Sequence, residues 1–448
     1  SAMKIIIAGA GEVGTHLSKL LSEDSHSITV VDPSEERLRA AESGTDVVTV
    51  QGSTTSIEVL EKANTRRADL LIAVTPSEDT NIVTCMLGKK MGAKQTIARI
   101  DHNEYLDVEN RRTFAHAGVD NMFYPEKIAA AEIVNLLGQT STSEYIEFAN
   151  GRLVMMVLKL EDDAPVVGKT LAEATFEMKK LEFRVVAISR HEKTIIPHRF
   201  DTFEPGDRLY TMTTRSGMSA MLEFSGKENV EVHNMIILGG SRIGAKVAES
   251  LDRRMNIKII EQQKERCVKL AEMFKNAMII NGDGRNADLL LEEGLQKTDA
   301  FVAVTGNSET NILACLLAKQ AGVQRTIAEV ENLDYIQLAE SIGINTIINK
   351  KLITAGHIFK FTQDTGVQSV KYLTGSDAEV LEFVAKPGCR ASKAPVKNLD
   401  FPKNAIIGGI VRGGKASIAT GATEIKANDH AIVFALDVDA AEVGEFFC

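Results

Sequence analysis

KIIIAGAGEVGTHLSKLL, Lys4–Leu21, reads as a buried strand, a glycine-rich turn and a helix. Ile5, Ile6 and Ile7 form a β-branched run, and Val13, Leu17, Leu20 and Leu21 recur afterwards at helical spacing. Between them the spacing is Gly9-x-Gly11-x-x-Gly14. In such a turn the first glycine permits the tight reversal. The second admits a pyrophosphate close to the backbone, and the third lets helix pack on strand. The start of the helix then offers free N–H groups and a positive dipole end to phosphate. ITVVD follows and places Asp32 at the end of a second strand. Its offset from Gly14 is close to the roughly 20 residues expected of a ribose-binding acid. Such an acid accepts from ribose hydroxyls and repels a 2′-phosphate, which favours NAD(H) over NADP(H). ATP and ADP carry the same hydroxyls, so Asp32 alone does not separate them from NAD(H).

The pattern occurs twice. NMIILGGSRIGAKVAESL, Asn234–Leu251, repeats strand, turn and helix, with Gly239 in the place of Gly9. IKIIE then ends in Glu261, in the place of Asp32. DLLIAVTPSEDTNIVTCML matches DAFVAVTGNSETNILACLL, pairing Thr75 with Thr305, Asn81 with Asn311 and Cys85 with Cys315. TIARI matches TIAEV, pairing Arg99 with Glu329. A period of about half the chain is a duplicated domain rather than a solenoid unit. Shorter, turn-rich β-branched stretches also repeat, with Arg190 opposite Arg412 and Asp207 opposite Asp429. The expected class is therefore α/β, with two tandem Rossmann-like parallel sheets, each followed by a small α+β lobe. The expected order is a nucleotide-binding lobe over 3–142, a small lobe over 143–231, a second nucleotide-binding lobe over 232–367 and a second small lobe over 368–448.

Composition bounds the function. With 448 residues, 44% hydrophobic and 25% charged, the chain is long enough for two to four globular domains. No apolar run approaches the roughly 20 residues that span a bilayer. No signal peptide is expected, and Ser1-Ala2 reads as an expression remnant before Met3. Five cysteines without CxxC or CxH spacing argue against a zinc site and for a reducing cytosol. The nine histidines form no HxxxH or HExxH pattern, so no metal site is expected. A net charge of −10 disfavours nucleic acid as a partner.

The remaining candidates lie where an open parallel sheet binds ligands, at the carboxyl ends of its strands. Gly52-Ser53 follows the third strand, and Ser53 is placed to reach the adenine or ribose end unless it belongs to a helix cap formed with Thr54, Thr55 and Ser56. Gly282 and Asp283 occupy the same place in the repeat, with Asp283 either a cap or a base contact. Thr75 and Pro76 follow the fourth strand, with Asp79 and Thr80 as competing helix caps. Arg99 ends the next strand, where it either neutralises pyrophosphate or pairs with Asp101 or Glu126. Glu329 cannot neutralise phosphate, so the two sites differ in charge logic. The second turn differs as well, Gly239-x-Ser241-x-x-Gly244: Ser241 stands for the middle glycine and Arg242 for Glu12. The first site is expected to be the tighter for a dinucleotide, because the Ser241 Cβ intrudes where the pyrophosphate approaches.

GAGEVG, VVD, AVTPSEDTN, ARI and YPEKIAAAEI, taken with the repetition of both lobes, resemble the RCK proteins that regulate potassium transport. The resemblance covers nearly the whole chain. It implies NAD(H) and ATP/ADP as ligands, held in the first half by Gly9, Ala10, Gly11, Glu12, Val13, Gly14, Asp32, Ser53, Thr75, Pro76 and Arg99. In the second half it implies Gly239, Gly240, Ser241, Arg242, Ile243, Glu261, Gly282, Asp283, Thr305 and Glu329. It also implies a homotetrameric ring, cytoplasmic and peripheral on the inner face of the membrane. That ring would lie beneath a membrane-embedded potassium-translocating subunit. PEKIAAAEIVNLLGQ, Pro125–Gln139, then becomes a crossover helix holding two large lobes together, with LITAGHIFKFT as its repeat. The competing class is an NAD-dependent oxidoreductase. It needs an acid–base residue within about 3 Å of the proton it moves, and no catalytic His, Lys or Tyr constellation recurs between the lobes.

Overall fold

The structure, a computed structural model, describes residues 2–139, 144–149, 151–177, 182–226, 232–359, 361–362, 367–373 and 378–448. The lobe boundaries expected near 142 and 231 lie outside the described residues. The first sheet contains β1 (Lys4–Ala8), β2 (Ser27–Asp32), β3 (Val47–Gln51), β4 (Leu70–Ala73), β5 (Gln95–Arg99) and β6 (Asn121–Phe123). All its pairs are parallel, in the order β3-β2-β1-β4-β5-β6. Ile5, Ile6 and Ile7 and the whole of β4 are fully buried, as strands covered on both faces must be. The order reverses between β1 and β4, so the carboxyl ends of these strands open a crevice at the glycine turn.

The first small lobe contains β7 (Glu144–Phe148), β8 (Leu153–Lys159), β9 (Phe183–Arg190), β10 (Lys193–Ile195) and β11 (Arg208–Thr214), an antiparallel sheet ordered β10-β9-β11-β8-β7. The second large sheet repeats the first: β12 (Asn234–Leu238), β13 (Asn256–Glu261), β14 (Met278–Asn281), β15 (Ala300–Ala303), β16 (Arg325–Glu329) and β17 (Thr346–Ile348), ordered β14-β13-β12-β15-β16-β17. The last sheet contains β18 (Val367–Tyr372), β19 (Ala378–Val384), β20 (Ala405–Arg412), β21 (Lys415–Ile418) and β22 (His430–Leu436), ordered β18-β19-β22-β20-β21. The architecture matches the expected tandem arrangement.

Each small lobe is braced by the paired residues read from the repeat. The Arg190 guanidinium grips Asp207 through two hydrogen bonds of 2.8 and 2.7 Å, and Arg412 grips Asp429 at the same two distances. The two small lobes share one core. Leu153, Met155, Val157, Tyr210 and Met212 pack with Val380, Ile432 and Phe434. Arg184 Nη1 donates to the carbonyls of Ile407 and Ala419, both at 3.2 Å.

The chain divides into two compact units, one of Ser1–Ile128 with Lys350–Asp364 and one of Ala129–Asn349 with Thr365–Cys448. The helix Pro125–Gln139 has the bounds its sequence suggested, and its residues from Ala129 onward belong to the second unit. The helix Lys350–Phe359 follows the second large sheet in sequence but belongs to the first unit, where it packs on the helix Glu12–Glu23. There Lys351 lies 3.3 Å from Glu12, and the His357 ring stacks on Phe123 with centroids 5.1 Å apart. A helix packed only on its own sheet is therefore not what forms after the second large lobe.

Candidate functional site

Both glycine turns have the same backbone. Gly9 and Gly239 adopt φ of +114° and +104°, which other residues rarely take. The third glycines are required by packing: a Cβ on Gly14 would stand 1.8 Å from the Gly9 carbonyl oxygen, and one on Gly244 2.2 Å from that of Gly239. Gly11 is different. A Cβ there would meet no protein atom within 4 Å, and its φ of −68° suits any residue. Packing gives no reason for glycine at this place, whereas close approach by a ligand does. Ser241 occupies it in the second half with φ −68°, and its hydroxyl caps the helix Arg242–Leu251 by accepting from Gly244 N at 3.3 Å. One N–H that the first helix leaves without a side-chain cap is thus partly satisfied in the second.

The two acids act as clamps. Asp32 is buried, and its oxygens accept from Ala10 N and Ser34 N at 2.8 Å each. Glu261 does the same with Gly240 N at 3.0 Å and Gln263 N at 2.7 Å. Each acid ties its glycine turn to the start of the next helix, and each oxygen keeps a second lone pair.

Thr75 and Thr305 are held by residues to which the sequence assigned no role. Asn81, buried, accepts from Thr75 N at 2.9 Å and Thr75 Oγ1 at 2.6 Å, and donates to the carbonyls of Thr75 and Arg99, both at 3.0 Å. Asn311 makes the same four bonds to Thr305 and to the Glu329 carbonyl. One amide thus locks the ends of two adjacent strands on the crevice side. The pairing of Asn81 with Asn311 in the repeat was the available signal. The helix caps are Ser77 and Asn307, not Asp79 or Thr80. Ser56 and Asn286 cap the next helices back, so neither Ser53 nor Asp283 serves as a cap. Ser53 instead bonds Thr55, and Asp283 pairs with Arg285 at 2.7 Å, which holds the Asp283 carboxyl below its usual range. Pro76 is exposed beside Thr75.

Arg99 lies 3.3 Å from Glu126, with both side chains largely buried. This is one of the two ion pairs weighed against phosphate binding. Lys350 also lies 3.9 Å from Glu126. Glu329 ends β16 as a buried residue. Arg242 and Glu12 are exposed at their helix starts, and Ala10 and Ile243 are buried.

In the second half a cavity of about 500 Å³ gathers Gly239, Gly240, Ser241, Glu261, Gly282, Asp283 and Thr305. Its size suits a nucleotide-class ligand. Arg242, Ile243 and Glu329 are not on its wall, whereas Arg266, Arg285, Gln262 and Asn307 are. Arg266 Nε donates to the Gly240 carbonyl at 2.6 Å, laying a guanidinium across the turn. Arg37 holds the equivalent position in the first half, so the repeat again carried the signal. Among the described residues no cluster of His, Cys, Asp or Glu could hold a metal, and no helix is long and apolar enough to cross a membrane.

A doubled dinucleotide fold, each copy followed by a small antiparallel lobe, is the RCK architecture. The crystal structure of the GsuK RCK domain superposes with a TM-score of 0.62 at 17% identity, covering 98% of this chain and 93% of that one. The GsuK channel bound to NAD superposes at 0.61, also at 17% identity, covering 100% of this chain and 78% of that one. The TrkA-N domain matches residues 5–125 and 235–350, and the TrkA-C domain matches 155–226 and 380–447. The chain belongs to the TrkA family. It is 33% identical over 99% of its length to the whole of Trk system potassium uptake protein TrkA homolog 1 of Methanosarcina mazei. It is 30% identical to Trk system potassium uptake protein TrkA of Haemophilus influenzae, covering 97% of this chain and 96% of that one. The family is one of potassium uptake proteins, and the chain is not an enzyme.

Proposed function

We propose that the protein is a nucleotide-binding regulatory subunit that gates a membrane-embedded potassium-translocating subunit of the TrkH or TrkG kind. The observation that carries the reading is Gly11, a glycine that neither packing nor φ requires, at the point where a pyrophosphate would approach. In this reading the N–H groups at the start of helix Glu12–Glu23 hold the phosphates. Asp32 orders the turn and accepts from the ribose, and Thr75 and Arg99 close the crevice. The second crevice does the same with Glu261, Asp283, Thr305 and Arg266. NAD(H) and ATP/ADP are the ligands, in keeping with a neighbouring fold solved with NAD. The lobes divide near 142, 231 and 367. The protein is a homotetramer that lies, cytoplasmic and peripheral, on the inner face of the membrane.

Gating requires that a nucleotide bind two ring shapes unequally, because a ligand shifts an equilibrium only by its differential affinity. Two nucleotides in one site then have opposite effects where each favours a different ring shape. Recording potassium flux through the reconstituted complex with ATP and then with ADP tests this; identical flux with either and with neither would sink the gating role. NADH titration of the full chain tests the site itself. Asp32→Ala should weaken binding about tenfold or more, as expected for a lost charged hydrogen bond of roughly 1.5–3 kcal/mol. It should also relax discrimination against NADPH. Unchanged affinity for both cofactors would remove Asp32 as the ribose anchor.

A further inference from the structure

A second cavity, of about 350 Å³, lies at the opposite end of the second large sheet from the glycine turn, around the first residue of β16. That residue is Arg325, only 6% exposed. Its Nη1 donates to the carbonyl of Leu136, one of the last four of the helix Pro125–Gln139, which find no partner within the helix. This contact uses a single N–H. Nε and Nη2 are buried without a hydrogen-bond partner. Together they form one edge of the guanidinium, the edge that binds two oxygens of a carboxylate or phosphate in parallel.

Helix capping alone does not explain this arginine. A buried cation left unpaired is costly, and burial pulls the Arg325 pKa down to about 10. The repeat shows what the position looks like without such a demand. The first half has exposed Gln95 there. In that half Lys89 pairs with Asp120 at 2.9 Å, and Asp120 accepts from Thr96 N. In the second half Asn345 takes over that acceptor role toward Thr326 N, an amide in place of the Asp120 carboxylate. Lys319, the counterpart of Lys89, donates instead to the Gly343 carbonyl at 3.0 Å and lines the cavity. The second half has thus exchanged an acid for an amide and a neutral side chain for a buried cation. Glu161 brings one negative charge to the wall, so the cavity's charged lining of Arg325, Lys319 and Glu161 sums to +1.

We infer that this cavity is an oxyanion site, in which a phosphate or carboxylate group of a small ligand is held by Arg325 Nε and Nη2, with Lys319 at the mouth. The site is separate from the nucleotide crevice and stands whether or not that crevice binds NAD(H). Its volume is at the small end of ligand pockets, which suits a compact ester or acid rather than a dinucleotide.

Calorimetric titration of the full chain with inorganic phosphate, glycerol phosphate and acetate, at constant ionic strength set with chloride, tests the inference. The glycine turns also attract phosphate, so the informative quantity is the component that Arg325→Gln removes. That variant copies Gln95 of the first half and should lose at least tenfold in affinity for the preferred anion. Lys319→Gln, at an exposed residue, leaves Arg325 in place and should weaken binding severalfold. The ¹⁵N-arginine Nε resonance that disappears in Arg325→Gln should shift and saturate with the same anion. Preference for glycerol phosphate, inorganic phosphate or acetate identifies the source as an ester, the free ion or a carboxylate. If Arg325→Gln does not fold, Lys319→Gln decides together with the one Nε resonance that moves under the anion. The inference is overturned if no anion moves any arginine Nε resonance, or if wild type and Lys319→Gln give superimposable isotherms.

Discussion

The two large lobes share a frame and differ in what they place on it. Asp32 and Glu261 clamp the same turn, Asn81 and Asn311 lock the same strand ends, and Gly14 and Gly244 admit the same close helix. The differences are polar and lie at the carboxyl ends of the strands. Gly11 becomes Ser241, whose hydroxyl caps its own helix; Glu12 becomes Arg242; Arg99 becomes Glu329. Duplication has kept the residues that hold the backbone and changed side chains at the glycine turn and at the end of the fifth strand. The lobes should therefore respond alike to damage in the frame and unlike to changes at the turn.

The largest expected effect tests the shared frame. Gly14→Ala and Gly244→Ala drive a Cβ into a backbone carbonyl, and each should destabilise its own lobe by about 3 kcal/mol or more. Hydrogen exchange of β1–β6 and of β12–β17 separates the two lobes, which a single melting curve of a multidomain chain does not. Tolerance of either alanine would break the equivalence. Next, Asn81→Ala and Asn311→Ala each leave buried backbone groups unpaired. Each should cost about 2–3 kcal/mol locally, read as lost protection at Thr75 and Thr305.

Acid should separate the lobes. His16 has no hydrogen-bond partner at Nε2, and burial, with Lys351 and Lys19 nearby, lowers its pKa to about 4; Lys246 occupies the equivalent position. Between the unfolded value near 6.5 and about 4, the unfolded chain binds a proton that the folded lobe does not. Stability of the first unit is therefore whole above about pH 6.5 and falls as pH drops toward 4. The loss is about 2 kcal/mol after allowing for solvent screening of a half-buried ring. Exchange rates in β1–β6 should rise over that window while those in β12–β17 do not follow; Lys351→Met should lessen the effect. The smallest effect concerns the turn. Gly11→Ser should weaken NADH binding at the first site, and Ser241→Gly should strengthen it at the second, each by about tenfold or 1.4 kcal/mol. Opposite signs support the steric account, and no change in either would show that Arg266 and its neighbours decide affinity instead.

The sheets, their order and the duplication were legible because glycine spacing and β-branched runs are local signals. The clamp role of Asp32 was less so: its partners, Ala10 N and Ser34 N, are backbone groups, which no residue type reveals. Asn81 was visible as a repeated letter, but its bond to the Arg99 carbonyl depends on β4 and β5 lying side by side. Arg266 was missed because it stands beyond the acid, a full helical turn past the residues the fingerprint covers. The allocation of helix Lys350–Phe359 to the first unit rests on packing between residues far apart in the chain, such as Lys351 and Glu12.

That helix also sets a timetable. Between Ile128 and Lys350 the ribosome must add nearly half of the chain. At about 5–20 residues per second, the first sheet waits on the order of 10–45 s for the helix that completes its unit. Throughout that interval the face of helix Glu12–Glu23 on which Lys350–Phe359 will pack has no cover from it. A nascent chain arrested before residue 350 should accordingly be a chaperone client, and release of the chaperone should coincide with synthesis of the second large sheet rather than of the first.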